Sequence, residues 1–266
     1  MLGTVTPWDM VAEGYAETTM KLFRPYTEKA LEIAAVDNES AILDVACGPG
    51  TLPILAAKKV KSIHAIDFSE SMIKQFEESV NAEGFKNIQI HCGDAQELPF
   101  SDEMFDAAFS MFGLMFFPNR SKGYSEIYRT LKPGGKIIIS SWAPLSDSPV
   151  MQTMFGAIKA MNPELPEPQS DINSLENPDY FKSELQDAGF KQIEIYAVEG
   201  DYPIRDVNEF WTEMVKGSAP IVMMKHSMTS QQWQEKEQIA LAFLAGKLLK
   251  LPTVLTAKAW IGFGIR

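Results

Sequence analysis

Three aspartates sit where an α/β chain can use a carboxylate for chemistry. Asp44 lies inside the run Ile42-Leu43-Asp44-Val45-Ala46-Cys47-Gly48-Pro49-Gly50-Thr51, Asp67 ends Ile63-His64-Ala65-Ile66-Asp67, and Asp94 sits in Cys92-Gly93-Asp94-Ala95-Gln96-Glu97-Leu98-Pro99-Phe100. A carboxylate accepts hydrogen bonds from hydroxyls and amines, and such charge-assisted bonds are the stronger ones. The first run reads as a buried parallel strand breaking into a glycine turn that starts a helix, the place where α/β proteins bind nucleotides. Ile42, Leu43 and Val45 supply an apolar strand, Gly48 and Gly50 let the backbone turn tightly, and Thr51 reads as the helix cap. A dinucleotide fingerprint needs a third glycine, and Pro53 takes its place. A ligand without a pyrophosphate relaxes that requirement. Two other readings stand beside this one: an NAD(P)-dependent reductase using the same turn, and acids that merely cap turns of an α/β fold.

The elements that must hold these residues alternate. Strands are expected at 41–46, 62–67, 87–92, 105–111 and 136–141, and helices at 51–59, 69–83 and 121–131. Ser69 caps the second of these helices, and Lys132-Pro133-Gly134-Gly135 forms a turn before the last strand. This order implies a mostly parallel, doubly wound sheet. Ahead of it, the pattern from Trp8 to Ala35 predicts two consecutive helices separated at Arg24-Pro25. Beyond it come a helix at 149–161, a loop through Pro163, Pro166 and Pro168, a helix at 178–188 closed by Gly189, and a strand at 191–199. Residues 200–252, rich in Met, Trp and Phe, read as a helical insertion on the sheet's edge before a terminal strand at 253–265.

The 266 residues are 45% hydrophobic, enough to bury one large core. A net charge of -11 and a pI near 4.8 argue against nucleic acid as a main partner. Cys47 and Cys92 have no second cysteine or histidine at metal spacing, so no zinc site and no disulfide framework is expected, and a reducing cytoplasm fits best. The first residues lack a basic start with an apolar run, and no stretch reaches membrane-spanning length. A single domain over 1–266 is expected, with a helical flank at 1–39, a ligand-binding core at 40–142, and substrate-capping segments at 143–190 and 200–252.

Over residues 40–142 the chain resembles the class I S-adenosylmethionine-dependent methyltransferases, in particular the small-molecule group that includes the ubiquinone and menaquinone biosynthesis enzymes. Four segments agree in type and order: the Asp44–Thr51 run, the strand ending in Asp67, the Asp94 loop, and Phe105–Phe112 followed by Leu131–Ser140. The resemblance implies a Rossmann-like, mostly parallel seven-stranded sheet with an antiparallel last strand. It also implies S-adenosylmethionine as cofactor, with the backbone of Asp44, Ala46, Gly48, Pro49 and Gly50 near its amino-acid end. Asp67, followed by Phe68 and Met72, would take the ribose hydroxyls, and Asp94, Ala95 and Gln96 the adenine. Ser110 and Met111 would face the methionine part, and Tyr15 of the leading helix would close the site.

Methyl transfer from a sulfonium is an in-line displacement that needs positioning and a dry enclosure and requires no metal. The stretch Met111–Pro118 and Trp142 are candidates for an acceptor pocket, against the alternative of ordinary core packing. Met214, Met223, Met224, Met228, Trp211 and Trp233 populate the insertion that would cap it. His64 and His91 fall in strands and read as packed residues, and His226 falls in the insertion. No catalytic base is assigned. The shorter segment expected before the final strand in the quinone enzymes leaves the acceptor defined only as a small apolar or aromatic molecule, methylated on carbon, oxygen or nitrogen. A non-catalytic cofactor-binding module is the remaining alternative.

Overall fold

The computed structural model describes residues 2–166 and 174–266; Pro168 of the expected proline-rich loop lies outside them. Seven strands form one sheet in the order β3-β2-β1-β4-β5-β7-β6. The strands are β1 (Ala41–Val45), β2 (Ser62–Asp67), β3 (Ile88–Cys92), β4 (Phe105–Met111), β5 (Leu131–Trp142), β6 (Lys191–Ile204) and β7 (Thr253–Ile265). The first five run parallel, and β7 is antiparallel to both β5 and β6. The Rossmann-like architecture expected from the sequence is therefore present, antiparallel last strand included.

Side chains alternate across this sheet with the two-residue period of a strand. Leu43 and Val45 of β1, with Ile137 and Ile139 of β5, pack on one face with Tyr124 and Ile127 of α4 (Arg120–Thr130) and Phe181 and Leu185 of α6 (Pro178–Asp187). Ile42 and Ile138 point the other way. They meet Ala30, Leu31 and Ala34 of α1 (Thr6–Ala34) and Leu52 and Ala56 of α2 (Thr51–Ala56). α3 (Glu70–Glu83) starts at Ser69, whose hydroxyl accepts from the Met72 N–H at 3.1 Å, as expected.

The structure corrects four details. Residues 6–34 form one helix with Pro25 inside it, not two helices. Pro25 lies on the exposed side of the helix, while Tyr26, Thr27, Ala30 and Leu31 are buried and hold the helix against the sheet across it. Thr51 is not the cap of α2, because Gly50 takes that position in the left-handed region at φ 89° with no side-chain cap. Lys132–Gly135 is an excursion within β5 rather than a turn before it: Leu131 pairs with Phe105, the ladder resumes at Lys136, and Gly134 N–H donates to the Arg266 carbonyl. Finally, β6 continues to Ile204, five residues beyond its expected end at 199.

That extension determines where the insertion sits. β5 pairs with β7 only from Ala259 onward, whereas β6 and β7 pair as far as Ile204 opposite Thr253. A two-stranded ribbon thus projects past the carboxyl ends of the parallel strands, and α7 (Val207–Gly217), α8 (Ala219–His226) and α9 (Ser230–Lys247) connect its tips. The insertion stands over the carboxyl ends rather than lying along the edge. With α5 (Pro149–Met161) it builds a core of its own around Ile158, Met161, Phe210, Trp211, Ile221, Trp233 and Leu244. α1 ties this cap to the sheet. It crosses α7 so closely that a Cβ on Gly14 would lie 2.3 Å from the Lys216 carbonyl oxygen. No helix among the described residues is long and apolar enough to cross a membrane.

Candidate active site

The end of β1 sets the geometry. After Val45 the chain leaves the sheet through Ala46 at φ 56° and Gly48 at φ 53°, and the Cys47 N–H donates to the Ile66 carbonyl at 3.1 Å. A Cβ on Gly50 would lie 2.1 Å from the Phe76 ring, so this glycine lets α3 pack under the turn. A Cβ on Gly48 would meet nothing within 4 Å, since that backbone faces open space. At the end of β4, Phe112 also holds a left-handed φ of 57°, pinned by its N–H donating to the Ser140 hydroxyl at 2.9 Å. Left-handed backbone at a residue other than glycine is costly, and it persists here on both sides of one opening, at Ala46 and Phe112.

That opening leads to a cavity of about 300 Å³ lined by Tyr15, Ala46, Gly48, Asp67, Phe68, Met72, Asp94, Ala95, Gln96 and Met111. Asp44 and Pro49 line a recess of about 30 Å³ beside it, shared with Tyr15, Ala46, Gly48 and Met111. Gly50 and Ser110 line neither cavity. Gly50 abuts Phe76, and the buried Ser110 hydroxyl accepts from the Leu114 N–H at 3.1 Å. Sequence reasoning missed Leu2, Gly3, Trp8 and Gly93, which also line the main cavity. For Trp8 a signal existed: Trp8, Tyr15 and Leu22 recur every seven residues, a stripe on one helix face.

The carboxylates differ in how they are held. Asp67 accepts from the Gly48 N–H at 2.8 Å and the Ser69 N–H at 3.0 Å. Burial raises its pKa, and those two N–H groups oppose the rise. Asp44 is 2% exposed, and its Oδ1 has no hydrogen-bond partner. Burial pushes its pKa well above the usual carboxylate range, and the Asp67 charge adds to the shift. A buried acceptor in that state is costly unless a ligand's donor reaches it. Asp94 is exposed and oriented by Gln96, whose backbone N–H donates to it at 2.8 Å. Gln96 Oε1 in turn accepts from the Asn119 N–H, joining this loop to the one after β4. Burial also drives the Tyr15 phenol pKa up, so it stays protonated.

A second cavity, of about 350 Å³, adjoins the first and shares Leu2, Trp8, Tyr15, Phe112 and Phe116 with it. Its walls are mainly apolar, with Phe23, Trp142, Met151, Met154 and Met214 among them. Phe112 stacks between Phe23 and Trp142, with ring centroids 4.6 and 4.2 Å away. Of the other insertion residues singled out above, Trp211 and Trp233 stack on each other inside the cap core. Met223, Met224, Met228 and His226 line neither cavity, and His226 is exposed. His64 and His91 face each other across β2 and β3 at 3.2 Å, away from both cavities.

Residues 42–135 match a family described as a methyltransferase domain. A ubiquinone/menaquinone biosynthesis C-methyltransferase of Rickettsia bellii is 31% identical over 180 residues, covering 60% of this chain and 72% of that protein. The chain belongs to the class I S-adenosylmethionine-dependent methyltransferases. A demethylmenaquinone methyltransferase of Listeria welshimeri is 33% identical over 122 residues, covering 45% of this chain and 52% of that one, so the chain spans about half the length of the first curated relatives it matches. Haemonchus contortus phosphoethanolamine N-methyltransferase 2, solved with S-adenosylhomocysteine, shares the fold: TM-score 0.55, 19% identity, 91% of this chain and 52% of that one. The family match ends at residue 135, so the helical cap over the second cavity lies beyond it.

Proposed function

We propose that the chain transfers the methyl group of S-adenosylmethionine to a small apolar or aromatic acceptor. The carrying observation is the pairing of two connected cavities. One is edged by acids at strand ends, the other is apolar, and Tyr15 and Phe112 stand between them. In this reading Asp67 accepts from the ribose hydroxyls while its remaining bonds to Gly48 and Ser69 keep the carboxylate in place. Asp94 and the adjoining Ala95 and Gln96 hold the adenine. Ala46, Gly48, Pro49 and Gly50 shape the turn around the amino-acid end, and the unpartnered Asp44 Oδ1 gives that end a buried acceptor. Ser110 and Met111 stand behind the methionine part, Phe68 and Met72 beside the nucleoside.

The bound sulfonium supplies an electrophilic methyl carbon. The chain's part is to align an acceptor with it and to exclude water, and positioning of this kind accounts for most of the catalysis. Phe112, Trp8 and Phe116 wall the junction of the two cavities. A wall of this kind keeps water from the sulfonium while its charge is lost on transfer. Of the segment 143–190, α5 caps the acceptor side together with the segment 200–252, while α6 packs on the sheet beside α4, all as part of one domain. Free Cys47 and Cys92 support a cytoplasmic setting. The names of the curated relatives favour a ring-bearing acceptor, but the family match ends at residue 135, before the cap, so no particular quinone is assigned.

The test is a titration with S-adenosylmethionine, S-adenosylhomocysteine and NADPH, followed by detection of released S-adenosylhomocysteine with lipophilic phenols and amines. Saturable binding of the first two, with turnover, is expected. Saturable NADPH binding alone would overturn the reading in favour of a reductase, and cofactor binding without turnover on any acceptor would reduce the chain to a binding module.

A further inference from the structure

The walls of both cavities include three ionisable acids, Asp67, Asp94 and Glu213, and among the described residues no Lys, Arg or His. Only Glu213 belongs to the second cavity. It sits on α7, and its Oε2 accepts from the Tyr202 hydroxyl of the projecting ribbon at 2.5 Å. Tyr202 is buried against Phe210, with ring centroids 5.5 Å apart, so the clamp has a fixed base. Glu213 Oε1 accepts no hydrogen bond from a described side chain or backbone group.

Of the other hydroxyls on that wall, those of Tyr15 and Ser218 bond to no described group, and two are committed. Thr18 donates to the Gly14 carbonyl at 2.7 Å and Thr19 to the Gly217 carbonyl at 3.4 Å. What the cavity offers an occupant is therefore a stack of aromatic faces, the neutral hydroxyls of Tyr15 and Ser218, and one carboxylate oxygen as its single charged group. The aromatic faces and the carboxylate attract hydrogen-bond donors and cations and repel anions. A negative acceptor would be desolvated beside Glu213 with no countercharge.

We infer that Glu213, clamped by Tyr202, is the acceptor's polar anchor, and that the acceptor is a lipophilic ring compound presenting an O–H or N–H donor, with carboxylates and phosphates excluded. This rests on the methyltransferase reading of the paired cavities and adds the chemistry of their second half. Glu213 is a binding residue in this account; no proton transfer is assigned to it.

The test uses the full chain saturated with S-adenosylhomocysteine and four probes of nearly one shape: 2-naphthol, 2-naphthylmethylamine, 2-methoxynaphthalene and 2-naphthoate, titrated by calorimetry. The naphthol or the amine should bind about tenfold more tightly than the methoxy compound, the scale of one hydrogen bond to a charged group, and the naphthoate more weakly than all three. Glu213→Leu should level the naphthol, amine and methoxy affinities and relieve the naphthoate, with S-adenosylhomocysteine affinity unchanged. Glu213→Gln should keep the naphthol preference in part and lose the amine preference, because the oxygen remains and the charge does not. Whichever donor leads identifies the acceptor as a hydroxyl or an amine compound. Equal binding of naphthoate and naphthol, a ranking unmoved by Glu213→Leu, or no probe binding to a protein that holds S-adenosylhomocysteine would each overturn the inference. Failure to bind S-adenosylhomocysteine at all would instead overturn the methyltransferase reading.

Discussion

The two halves of the site are built by different means. The half at the ends of β1, β2 and β4 is made of backbone turns, buried acids and two non-glycine residues in left-handed conformations, all within the segment that matches the family. The half under the cap is made of side chains drawn from α1, the β4 end, the β5 end, α5, the ribbon, α7 and α8, and it is largely apolar. Local chain geometry specifies the first, and long-range packing specifies the second. A ligand shared by many proteins can be held by a turn, whereas one particular acceptor must be held by an assembly of surfaces.

If the halves are energetically distinct, variants should separate them. The largest effect is expected from Trp233→Ala, which removes one ring of the Trp211 stack from the cap core and should cost about 3–5 kcal/mol in urea unfolding. The comparison breaks if S-adenosylhomocysteine affinity falls with it by more than about threefold, a change of well under 1.4 kcal/mol. Gly50→Ala should cost about 2–4 kcal/mol, because its Cβ meets Phe76 at a left-handed φ, and unlike the cap variant it should weaken the cofactor as well. Asp67→Ala should weaken S-adenosylhomocysteine by about 1.5–3 kcal/mol in calorimetry, and unchanged affinity would remove Asp67 from the cofactor half.

Asp44→Asn should do the reverse of ordinary damage. A carboxyl whose folded pKa is raised destabilises the fold while ionised, and that cost is relieved as pH falls through the raised value towards the unfolded one. The variant should therefore gain about 1 kcal/mol near neutral pH in the ligand-free state and lose the stabilisation on acidification that this group confers on the wild type. Donors of a bound cofactor favour the ionised form, so wild-type affinity should tighten as pH rises through that range, and the variant should show a flatter profile. Smallest of all, Gly246→Ala in α9 has nothing within 4 Å of the new Cβ and should stabilise the cap by about 0.5–1 kcal/mol, measured as a raised thermal midpoint with unchanged cofactor affinity.

Legibility in the sequence followed the same division. The order of strands and helices through Trp142 could be read because the alternation of Leu43 and Val45 against Ile42, or of Ile137 and Ile139 against Ile138, is a local pattern that the sheet preserves. Asp67, Asp94 and the Gly48 turn could be read for the same reason. Pro25 misled because tertiary burial of Tyr26 and Leu31 outweighed a local helix-breaking signal. Trp8 was marked only by its seven-residue spacing to Tyr15 and Leu22, and Glu213 was hidden because nothing local marks a residue whose importance comes from facing a distant segment. Tyr202 and Glu213 are a side-chain pair joined only once the ribbon has run beyond the sheet.

That ribbon makes the cap replaceable. Ile204 and Thr253 are paired neighbours at its tip, so everything between them leaves and re-enters the sheet at one point. A loop closed at so narrow a base can lengthen, shorten or change its sequence at a small entropic cost, with the register of β6 on β7 untouched. Exchange of residues 205–252 for another helical segment should thus transplant acceptor preference onto the same cofactor-holding sheet, with Ile204 and Thr253 as the splice points.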